Sequence, residues 1–425
     1  MGLDALIERR RRVMGDKTLL FYDEPLEFVR GSGVWLEDSA GRRYLDVYNN
    51  VPHVGHCHPH VVEALCRQAH ILNVHTRYLN EETVRYAERL LAYFEDDLDV
   101  VSLVCTGTEA NELALRMASH LSGQRGIIVT DNSYHGNSRA LAEATTHLPA
   151  PEALAPHVRA IALPDPYRDG DPATLAQRYL DEVKAAIRSL QHEGFGVAAI
   201  LFDTIFSTEG LIDVPVDFIR GAVKAVREAG GFYIADEVQP GFGRMGDAMW
   251  GYQRYGIVPD FVTMGKPMGN GHPLAGCVTR RDYVGRFAAD AVYFNTFGGN
   301  PVSAAVGNAV LDVIENEKLV ENARAQGDYI QRGLKSLAER HALIGDVRGR
   351  GLFFGAEFVT DREQKTPATA ETNRIVNRMK ERGILISKVG SASNVLKMRP
   401  PIVFQQQHAD LLLDTLDEVL EENKG

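Results

Sequence analysis

Three short apolar runs decide the fold: VAAILFD (197–203), FYIADE (232–237) and FVTMGK (261–266), each ending in a charged residue. Short runs that are apolar throughout are typical of strands buried on both faces of a parallel sheet. Between the first two runs lies DFIRGAVKAVREAG (217–230), in which apolar residues recur with helical spacing. Strands that alternate with helices predict an α/β fold, with a mostly parallel central sheet between layers of helices.

The same alternation continues outward from these runs. Apolar runs predict further strands at 101–106, 126–131 and 276–280. Helical spacing predicts helices at 110–121 and 175–190. The middle of the chain therefore builds one layered sheet.

The two ends of the chain have a different pattern. GSGVWLEDSAGRRYLDVY (31–48) alternates like a β-hairpin, residues 300–337 are strongly helical, and a last helix is predicted near 407–423. Both ends can then build one smaller α+β domain. We predict an N-terminal segment at 1–55 that joins the small domain, a large domain at 56–305 and the rest of the small domain at 306–425.

Bulk composition narrows the classes of function. The formal net charge of -11 on 425 residues repels phosphate backbones and anionic membrane surfaces, so we expect no nucleic-acid or membrane partner. The four cysteines form no CxxC pair, which favours a reducing compartment. MGLDALIERRRRVMG at the N-terminus lacks the apolar core of a secretory signal, and no apolar run is long enough to span a membrane. We expect a cytoplasmic protein.

The residues at the strand ends are the first candidates for a functional site. In an open parallel sheet, ligands bind beyond the carboxyl ends of the strands, which are here Thr106, Asp203, Asp236 and Lys266. Buried charges are costly unless they are paired or shifted in pKa, so three of them at one sheet edge favour a site. An Asp in such a place is also a common helix cap or turn residue, so Asp236 alone does not define one.

Lys266 changes that balance. It follows a strand directly and lies in the Gly/Pro-rich turn GKPMGNGHP, whereas ordinary lysines are solvated on helix faces. A desolvated lysine near another cation loses proton affinity, and a neutral amine is the form that attacks an aldehyde. Lys266 is therefore a candidate Schiff-base lysine.

A Schiff-base cofactor such as pyridoxal phosphate (PLP) needs two further parts, and the sequence offers both. An acid must keep the pyridine nitrogen protonated, and Asp236 supplies a carboxylate. The phosphate needs donors, and Thr106-Gly107-Thr108, which leads from a strand into a helix, offers hydroxyls, backbone N–H groups and the positive end of a helix dipole. Lys266, Asp236 and this turn together suit PLP.

The polar turn DNSYHGN supplies aromatic side chains after another predicted strand. Tyr134 and His135 could lay an aromatic face on the pyridine ring. The alternative is that they are ordinary loop aromatics.

With these residues in place, the chain resembles the class III aminotransferases over nearly its whole length. The family's glycine turn and helix are similar to CTGTEANELALRMA, its aromatic loop to SYHG, its aspartate strand to ADEVQPGFGRMG, and its lysine turn to PDFVTMGKPMGNGHP. NTFGGNPVSAA then resembles the segment that reaches the cofactor of the neighbouring subunit. The resemblance implies a fold-type I PLP enzyme that forms a homodimer with shared active sites, and whether two dimers pair into a tetramer is left open.

The resemblance also implies residue roles. Lys266 carries the cofactor and moves protons, Asp236 pairs with the pyridine nitrogen, and Val238 packs behind the ring. Gln239 contacts the ring hydroxyl and Tyr134 stacks on the ring. Phosphate contacts come from Gly107, Thr108 and, from the neighbouring subunit, Thr296.

Two other motifs compete with this interpretation. GFGRMG (241–246) has the form GxGxxG after a strand, but no suitable helix or acidic residue follows, as a dinucleotide site requires. HVGHCHPH (53–60) carries four histidines and a cysteine at spacing that suits a metal. In the family a similar stretch is a structural turn, and the sequence offers no second cluster of metal ligands to complete a site. We therefore expect no metal.

Substrate-side residues are marked mainly by departures from the family pattern. Several members place an Arg before the final Pro pair to clamp a carboxylate, and in VLKMRPP the matching residue is Lys397, with Arg399 two positions on. In a strand both would share a face and could bind an anionic group, or both could be surface cations on an edge strand. The resemblance adds Phe21, Tyr22 and Val51 as substrate contacts.

The reaction is the remaining choice. We predict transamination from a primary amine or amino acid to a keto acid such as pyruvate, because no second phosphate-binding cluster is evident. The alternative is phosphate elimination from O-phosphoethanolamine or a similar phospho-amine, because several motifs resemble the branch that contains ethanolamine-phosphate and phosphohydroxylysine phospho-lyases. A remote alternative is a PLP-binding protein without turnover. The family's Glu-Pro strand ending is altered to Asp203-Thr204, and its acidic gate residue corresponds to Thr208 or Glu209.

Overall fold

The structure is a computed structural model that describes residues 2–147 and 153–422. Thirteen helices and sixteen strands are assigned in that part of the chain. The helices are α1 Leu3–Met14, α2 Pro59–Ile71, α3 Glu81–Leu91, α4 Gly107–Ser122, α5 Arg139–Ala142, α6 Pro166–Asp169, α7 Pro172–His192, α8 Val216–Glu228, α9 Arg281–Asp290, α10 Pro301–Asn316, α11 Leu319–Arg340, α12 Thr369–Glu381 and α13 Gln406–Glu422.

The strands fall into one large and two smaller sheets. They are β1 Phe28–Ser32, β2 Trp35–Asp38, β3 Arg43–Asp46, β4 Val100–Val104, β5 Ile127–Thr130, β6 Val158–Ile161, β7 Ala199–Asp203, β8 Phe232–Asp236, β9 Phe261–Met264, β10 Ala275–Thr279, β11 Ile344–Arg350, β12 Phe353–Asp361, β13 Thr366–Pro367, β14 Ile384–Leu385, β15 Ser387–Val389 and β16 Val395–Met398.

The large sheet has the order β4-β10-β9-β8-β7-β5-β6. All pairs from β9 to β6 are parallel, and β10 runs antiparallel to both of its neighbours. Every residue of β7 is buried, because helices cover both faces of the sheet. The predicted mostly parallel sheet between helices is thus confirmed.

The predicted strands and helices of the middle lie where the apolar runs place them. The sequence does not predict β6, because Arg159 interrupts its short apolar run. The helical stretch 300–337 forms two helices, since the chain breaks at Lys318, which has a φ of +51°. Helix α4 starts at Gly107, three residues before the apolar periodicity begins.

The smaller sheets combine segments that are distant in sequence. The predicted hairpin is β2 with β3, and β14 adds to it in parallel, with Ile384 opposite Leu45. The other small sheet has the order β11-β12-β16-β15, with β13 paired to β12. The domain boundaries at 55 and 305 stay a prediction. In the described ranges, no helix is both long and apolar enough to cross a membrane.

Candidate active site

The central strands bring the predicted site residues to one edge of the large sheet. Asp203 and Asp236 end neighbouring parallel strands and are paired directly in register. Asp236 in turn lies opposite Thr263 of β9, and Lys266 follows that strand after two residues. A cavity at this edge is lined by Gly107, Thr108, Asn111, Tyr134, His135, Gly136, Asp203, Asp236, Val238, Gln239 and Lys266.

Asp236 is held by three donors. Its Oδ2 accepts hydrogen bonds from Asn111 Nδ2 at 2.9 Å and pairs with His135 Nδ1 at 2.8 Å. Its Oδ1 accepts from the backbone N–H of Val238 at 3.0 Å. Thr263 donates to Asn111 Oδ1 at 2.5 Å and so fixes the amide that points at the carboxylate. Such support holds an acid in one orientation for a ring nitrogen.

His135 is a partner of Asp236, which differs from the stacking role that we considered for it. Burial opposes protonation of its ring, but the hydrogen bond and charge of Asp236 raise its pKa. An imidazolium here donates a hydrogen bond to the carboxylate. Tyr134 lines the cavity, so it remains the candidate for stacking on the cofactor ring.

Lys266 lies in the same cavity and is partly buried. Burial, and then the positive charge of Arg399, lower the pKa of its amine, while Asp236 and Asp203 oppose that shift. A lowered pKa increases the share of the nucleophilic neutral amine. The local environment therefore suits the Schiff-base role that the sequence predicts for this lysine.

The glycine turn before α4 forms a cradle that suits a phosphate. A Cβ on Gly107 would lie 2.8 Å from Val238 Cγ2, so only glycine fits between the turn and the residue behind the cofactor ring. Thr106 caps the helix through a capping box with Glu109, which occupies its hydroxyl. Thr108 exchanges hydrogen bonds with Asn137 at the rim of the cavity. The backbone N–H groups that remain free at the N-terminus of α4 are therefore those of the residues just after Thr106.

The donor set fits PLP in chemistry. It joins a desolvated amine on Lys266, a fixed carboxylate on Asp236, a helix N-terminus and an aromatic ring on Tyr134. His135 Nε2 is buried without a hydrogen-bond partner among the described residues. The wall of the cavity therefore contains a polar atom whose hydrogen bond no described residue supplies.

Lys397 and Arg399 are both buried, at 5% and 8% exposure, and neither lines the cavity, but Arg399 adjoins it through its hydrogen bond to the lining residue Gln239. Strand β16 runs between β12 and β15, so the interpretation of these residues as surface cations on an edge strand is wrong. Burial and then Arg399 lower the pKa of Lys397 far below its usual range. Two buried basic side chains whose charges act on Lys266 are candidates for binding a negative charge.

Arg399 is held from two sides. Its Nε donates to the backbone carbonyl of Tyr48 at 2.9 Å, and its guanidinium lies 4.6 Å from the Tyr48 ring centroid. Its Nη1 donates to Gln239 Oε1. Gln239 therefore contacts both the cofactor cavity and the anion-binding side.

The three N-terminal candidates lie outside the lining of this cavity. Phe21 packs edge-on against Tyr48, with 5.1 Å between the ring centroids. The Tyr22 hydroxyl donates to the carbonyl of Ile386 at 3.0 Å. Val51 is 38% exposed. Their predicted contact with substrate stays a prediction, and within this chain Tyr48 links Phe21 to Arg399.

Thr296 is exposed and does not line the cavity of its own chain. Its predicted role toward a neighbouring subunit stays a prediction.

The two competing motifs have structural roles in the described chain. The four histidines of 53–60 contact four separate partners: Phe242 for His53, Asp46 for His56, Glu317 for His58 and Asp312 for His60. Within GFGRMG, Arg244 is fully buried and donates to the carbonyls of Leu352 and Pro400. The glycine-rich stretch therefore surrounds a structural arginine.

Several contributing residues have no distinctive sequence signal. Asn111 lies inside the helix predicted at 110–121, at a position whose helical spacing matches the buried face. Ser207 and Glu209 follow β7 in a loop where the family pattern departs. Tyr48 follows the hairpin. Only the spacing of Asn111 on the buried face of α4 could have pointed to one of them.

The sheet, the lysine turn and the held carboxylate define a fold-type I PLP-dependent enzyme. The chain belongs to the class-III aminotransferase family, whose model, described as Aminotransferase class-III, matches residues 22–420. It is an enzyme of the aminotransferase type and its cofactor is PLP. The predicted family, fold class and cofactor are confirmed.

Curated relatives and solved structures include transferring and eliminating enzymes. The "Alanine--glyoxylate aminotransferase 2-like" protein of Drosophila melanogaster is 39% identical over 419 residues, which cover 96% of this chain and 85% of that protein. "Ethanolamine-phosphate phospho-lyase homolog 1" of Caenorhabditis elegans is 34% identical and covers 98% of this chain and 93% of that protein. The structure of a phospholyase from Arthrobacter in complex with phosphoethanolamine is 50% identical, with a TM-score of 0.96 over 98% of this chain and 99% of that chain.

Proposed function

We propose that this aminotransferase takes the amino group of a primary amine or amino acid that carries an anionic group, and passes it to a keto acid such as pyruvate. The observation that carries the proposal is the partly buried Lys266 amine in one cavity with the fixed Asp236 carboxylate, with the buried Lys397 and Arg399 nearby. Bound PLP supplies an electron sink for the carbon that bears the amine.

The residues of the chain divide the remaining work. Lys266 holds the cofactor and, once released by the incoming amine, moves a proton at its Nζ. Asp236 accepts a hydrogen bond at its carboxylate and stabilises positive charge on the ring nitrogen. His135 and Asn111 keep that carboxylate oriented. The backbone N–H groups at the start of α4, that of Thr108 among them, hold the phosphate.

The anionic group of the substrate is the part that Lys397 and Arg399 select. Both side chains are buried, so their charge is poorly screened by water. Arg399 presents a guanidinium already fixed by Tyr48 and Gln239, and a planar fork suits a carboxylate or a phosphate. An uncharged amine would leave these cations without an incoming partner.

Elimination of phosphate is the second candidate. It is favoured by the paired buried cations and by the likeness to an Arthrobacter phospholyase in complex with phosphoethanolamine. In that reaction the carbon–oxygen bond to phosphate breaks, and hydrolysis releases inorganic phosphate, ammonia and acetaldehyde from O-phosphoethanolamine. Lys266 would remove the proton that starts the reaction, as it does in transfer.

One pair of assays separates the two reactions. The holoenzyme is incubated with O-phosphoethanolamine and no keto acid, and phosphate and acetaldehyde are measured. In parallel, an anionic amino acid is supplied with pyruvate, and alanine is measured. Alanine formation without phosphate release supports transamination; sustained multiple turnover to phosphate without a keto acid overturns it in favour of the lyase.

We also propose that the protein works in the cytoplasm as a homodimer with shared active sites. Support comes from the exposed apolar side chains around Thr296: Val292 is 94% and Phe297 71% exposed. A partner subunit would cover them and receive Thr296 at its cofactor phosphate. Light scattering should give a mass near twice 47.0 kDa. A monomer that binds PLP and turns over would contradict the proposal.

A further inference from the structure

Gln239 lies between two hydrogen-bonding groups that fix both ends of its amide. Its Nε2 donates to Ser207 Oγ at 2.6 Å, and its Oε1 accepts from Arg399 Nη1. Asn50 Nδ2 also approaches this oxygen, at 3.5 Å. The amide therefore has one orientation, with its nitrogen toward Ser207 and its oxygen toward Arg399.

Ser207 is itself fixed by Asp203. Its hydroxyl donates to Asp203 Oδ2 at 2.5 Å, and its backbone N–H reaches the same oxygen at 3.2 Å. The other oxygen, Oδ1, accepts from the backbone N–H of Ile205 at 3.0 Å. Because the hydroxyl proton is committed to Asp203, the oxygen of Ser207 is left to accept from Gln239. Asp203, at the end of β7, thus sets the direction of each hydrogen bond in this series.

The loop that carries Ser207 is built around unusual backbone angles. Phe206 and Leu211 have φ values of +52° and +60°, although neither is glycine, and both side chains are buried. Left-handed conformations of such residues persist only where the surroundings hold them. The loop therefore presents Ser207 in a defined position beneath Gln239.

At the other end of this series of hydrogen bonds, Arg399 still has a nitrogen that can donate to another group. Its Nε is bonded to the Tyr48 carbonyl and its Nη1 to Gln239. In the described ranges, no protein group accepts a hydrogen bond from its Nη2. With Nε and Nη1 both occupied, the plane of the guanidinium is fixed, and the direction of Nη2 is fixed with it.

We propose that Asp203 and Ser207 are positioning residues for the substrate's anionic group. They hold Gln239, and Gln239 holds Arg399 so that its free N–H groups face the incoming carboxylate or phosphate. This inference rests on the proposed function, in which Arg399 binds that group. Loss of the Ser207 hydroxyl frees the Gln239 amide to rotate and releases Arg399 from one of its two contacts, which weakens binding of anions without removing either charge.

The test measures anion binding to the PLP-loaded enzyme, with inorganic phosphate as the probe and calorimetry as the readout. Ser207→Ala should weaken phosphate binding roughly five- to tenfold, the effect of one lost hydrogen bond. Ser207→Thr keeps the hydroxyl and should restore most of the affinity. Ser122→Ala is the matched control, because its hydroxyl donates within its own helix to the carbonyl of Ala118, and it should bind as the wild type does.

Steady-state kinetics give the second readout. For an anionic amine, Ser207→Ala should raise KM about as much as it weakens phosphate binding, with a smaller change in kcat. A purely structural role would instead lower the absorbance of the bound cofactor and kcat together. Wild-type affinity for phosphate in Ser207→Ala, with that affinity lost in Arg399→Leu, would overturn the positioning role alone. Equal phosphate binding by wild type and Arg399→Leu would overturn the proposed substrate class as well.

Discussion

The cofactor side and the substrate side of the site are built differently. On the cofactor side, Asp236 ends β8, Lys266 lies just beyond the end of the adjacent parallel strand β9, and Gly107 opens the capped helix α4. On the substrate side, Arg399 depends on Tyr48 and Gln239, which are distant in sequence. The ends of neighbouring strands build the cofactor side. Contacts among the large sheet, the end of the hairpin and β16 build the substrate side.

The difference separates general chemistry from choice of substrate. The parts that hold PLP recur wherever the strand pattern recurs, so a shared cofactor side is compatible with both amino transfer and elimination. The substrate side contains the buried charges Asp203, Glu209, Lys397 and Arg399, whose pKa values depend on one another. Changes there should alter selectivity before they alter cofactor binding.

The largest effect should come from Lys266→Ala. Removing the amine removes both the cofactor bond and the proton carrier, so turnover should fall by about 10³-fold or more. The visible absorbance band of the bound cofactor should disappear in a spectrum of the purified variant. A yellow variant with wild-type turnover would show that the cofactor side is not centred on this lysine.

Asp236→Ala should have the next largest effect on turnover. The variant keeps Lys266 and therefore its coloured cofactor, but it loses the carboxylate that stabilises the protonated ring, and turnover should fall by roughly 10²-fold or more. Absorbance and kcat measured on the same sample check both parts. Near-normal kcat with bound PLP would contradict the role of Asp236.

Glu209 tests the charge balance of the substrate side through pH. Burial, and then Asp203, raise the pKa of Glu209 from its usual 4.5 to about 7. The folded state therefore binds this proton more tightly, and the stability gained is present below pH 4.5 and is lost as the pH rises through about 7. The loss should amount to roughly 3 kcal/mol, since each pKa unit corresponds to about 1.4 kcal/mol.

Glu209→Gln should remove that part of the pH dependence. The thermal midpoint of the wild type should fall more between pH 5 and pH 8 than that of the variant, because only the wild type must ionise the carboxyl at position 209. Glu339→Gln, at an exposed position, serves as the control and should follow the wild type. Parallel pH curves for wild type and Glu209→Gln would exclude a raised pKa at this residue.

The smallest effect should come from Thr106→Ala on the cofactor side. Its hydroxyl caps α4 by accepting from the backbone N–H of Glu109 at 3.2 Å. Loss of the cap should lower the free energy of unfolding by about 1 kcal/mol, while the phosphate donors that follow it stay in place. Thermal unfolding measures the change, with Thr106→Ser as the variant that keeps the cap. Loss of the bound cofactor would instead make Thr106 part of the phosphate site.

Local pattern predicted the large sheet well and the substrate side poorly. Strands β4, β5, β7, β8, β9 and β10 follow from apolar runs, whereas the apolar run of β6 is interrupted by Arg159. Residues at strand ends can be found from the chain alone, because the carboxyl ends of parallel strands share an edge. Asn111 and Ser207 cannot, since their partners come from other segments.

The sequence by itself predicted that Lys266 and Asp236 share a PLP site, because each lies at or just after the end of a buried strand and the motifs around them are local. Only the tertiary structure decided that Lys397 and Arg399 are buried cations and that His135 serves Asp236. Periodicity reports which face of an element is apolar. It does not report which distant segment covers that face, and the covering segment sets burial, hydrogen-bond partners and pKa.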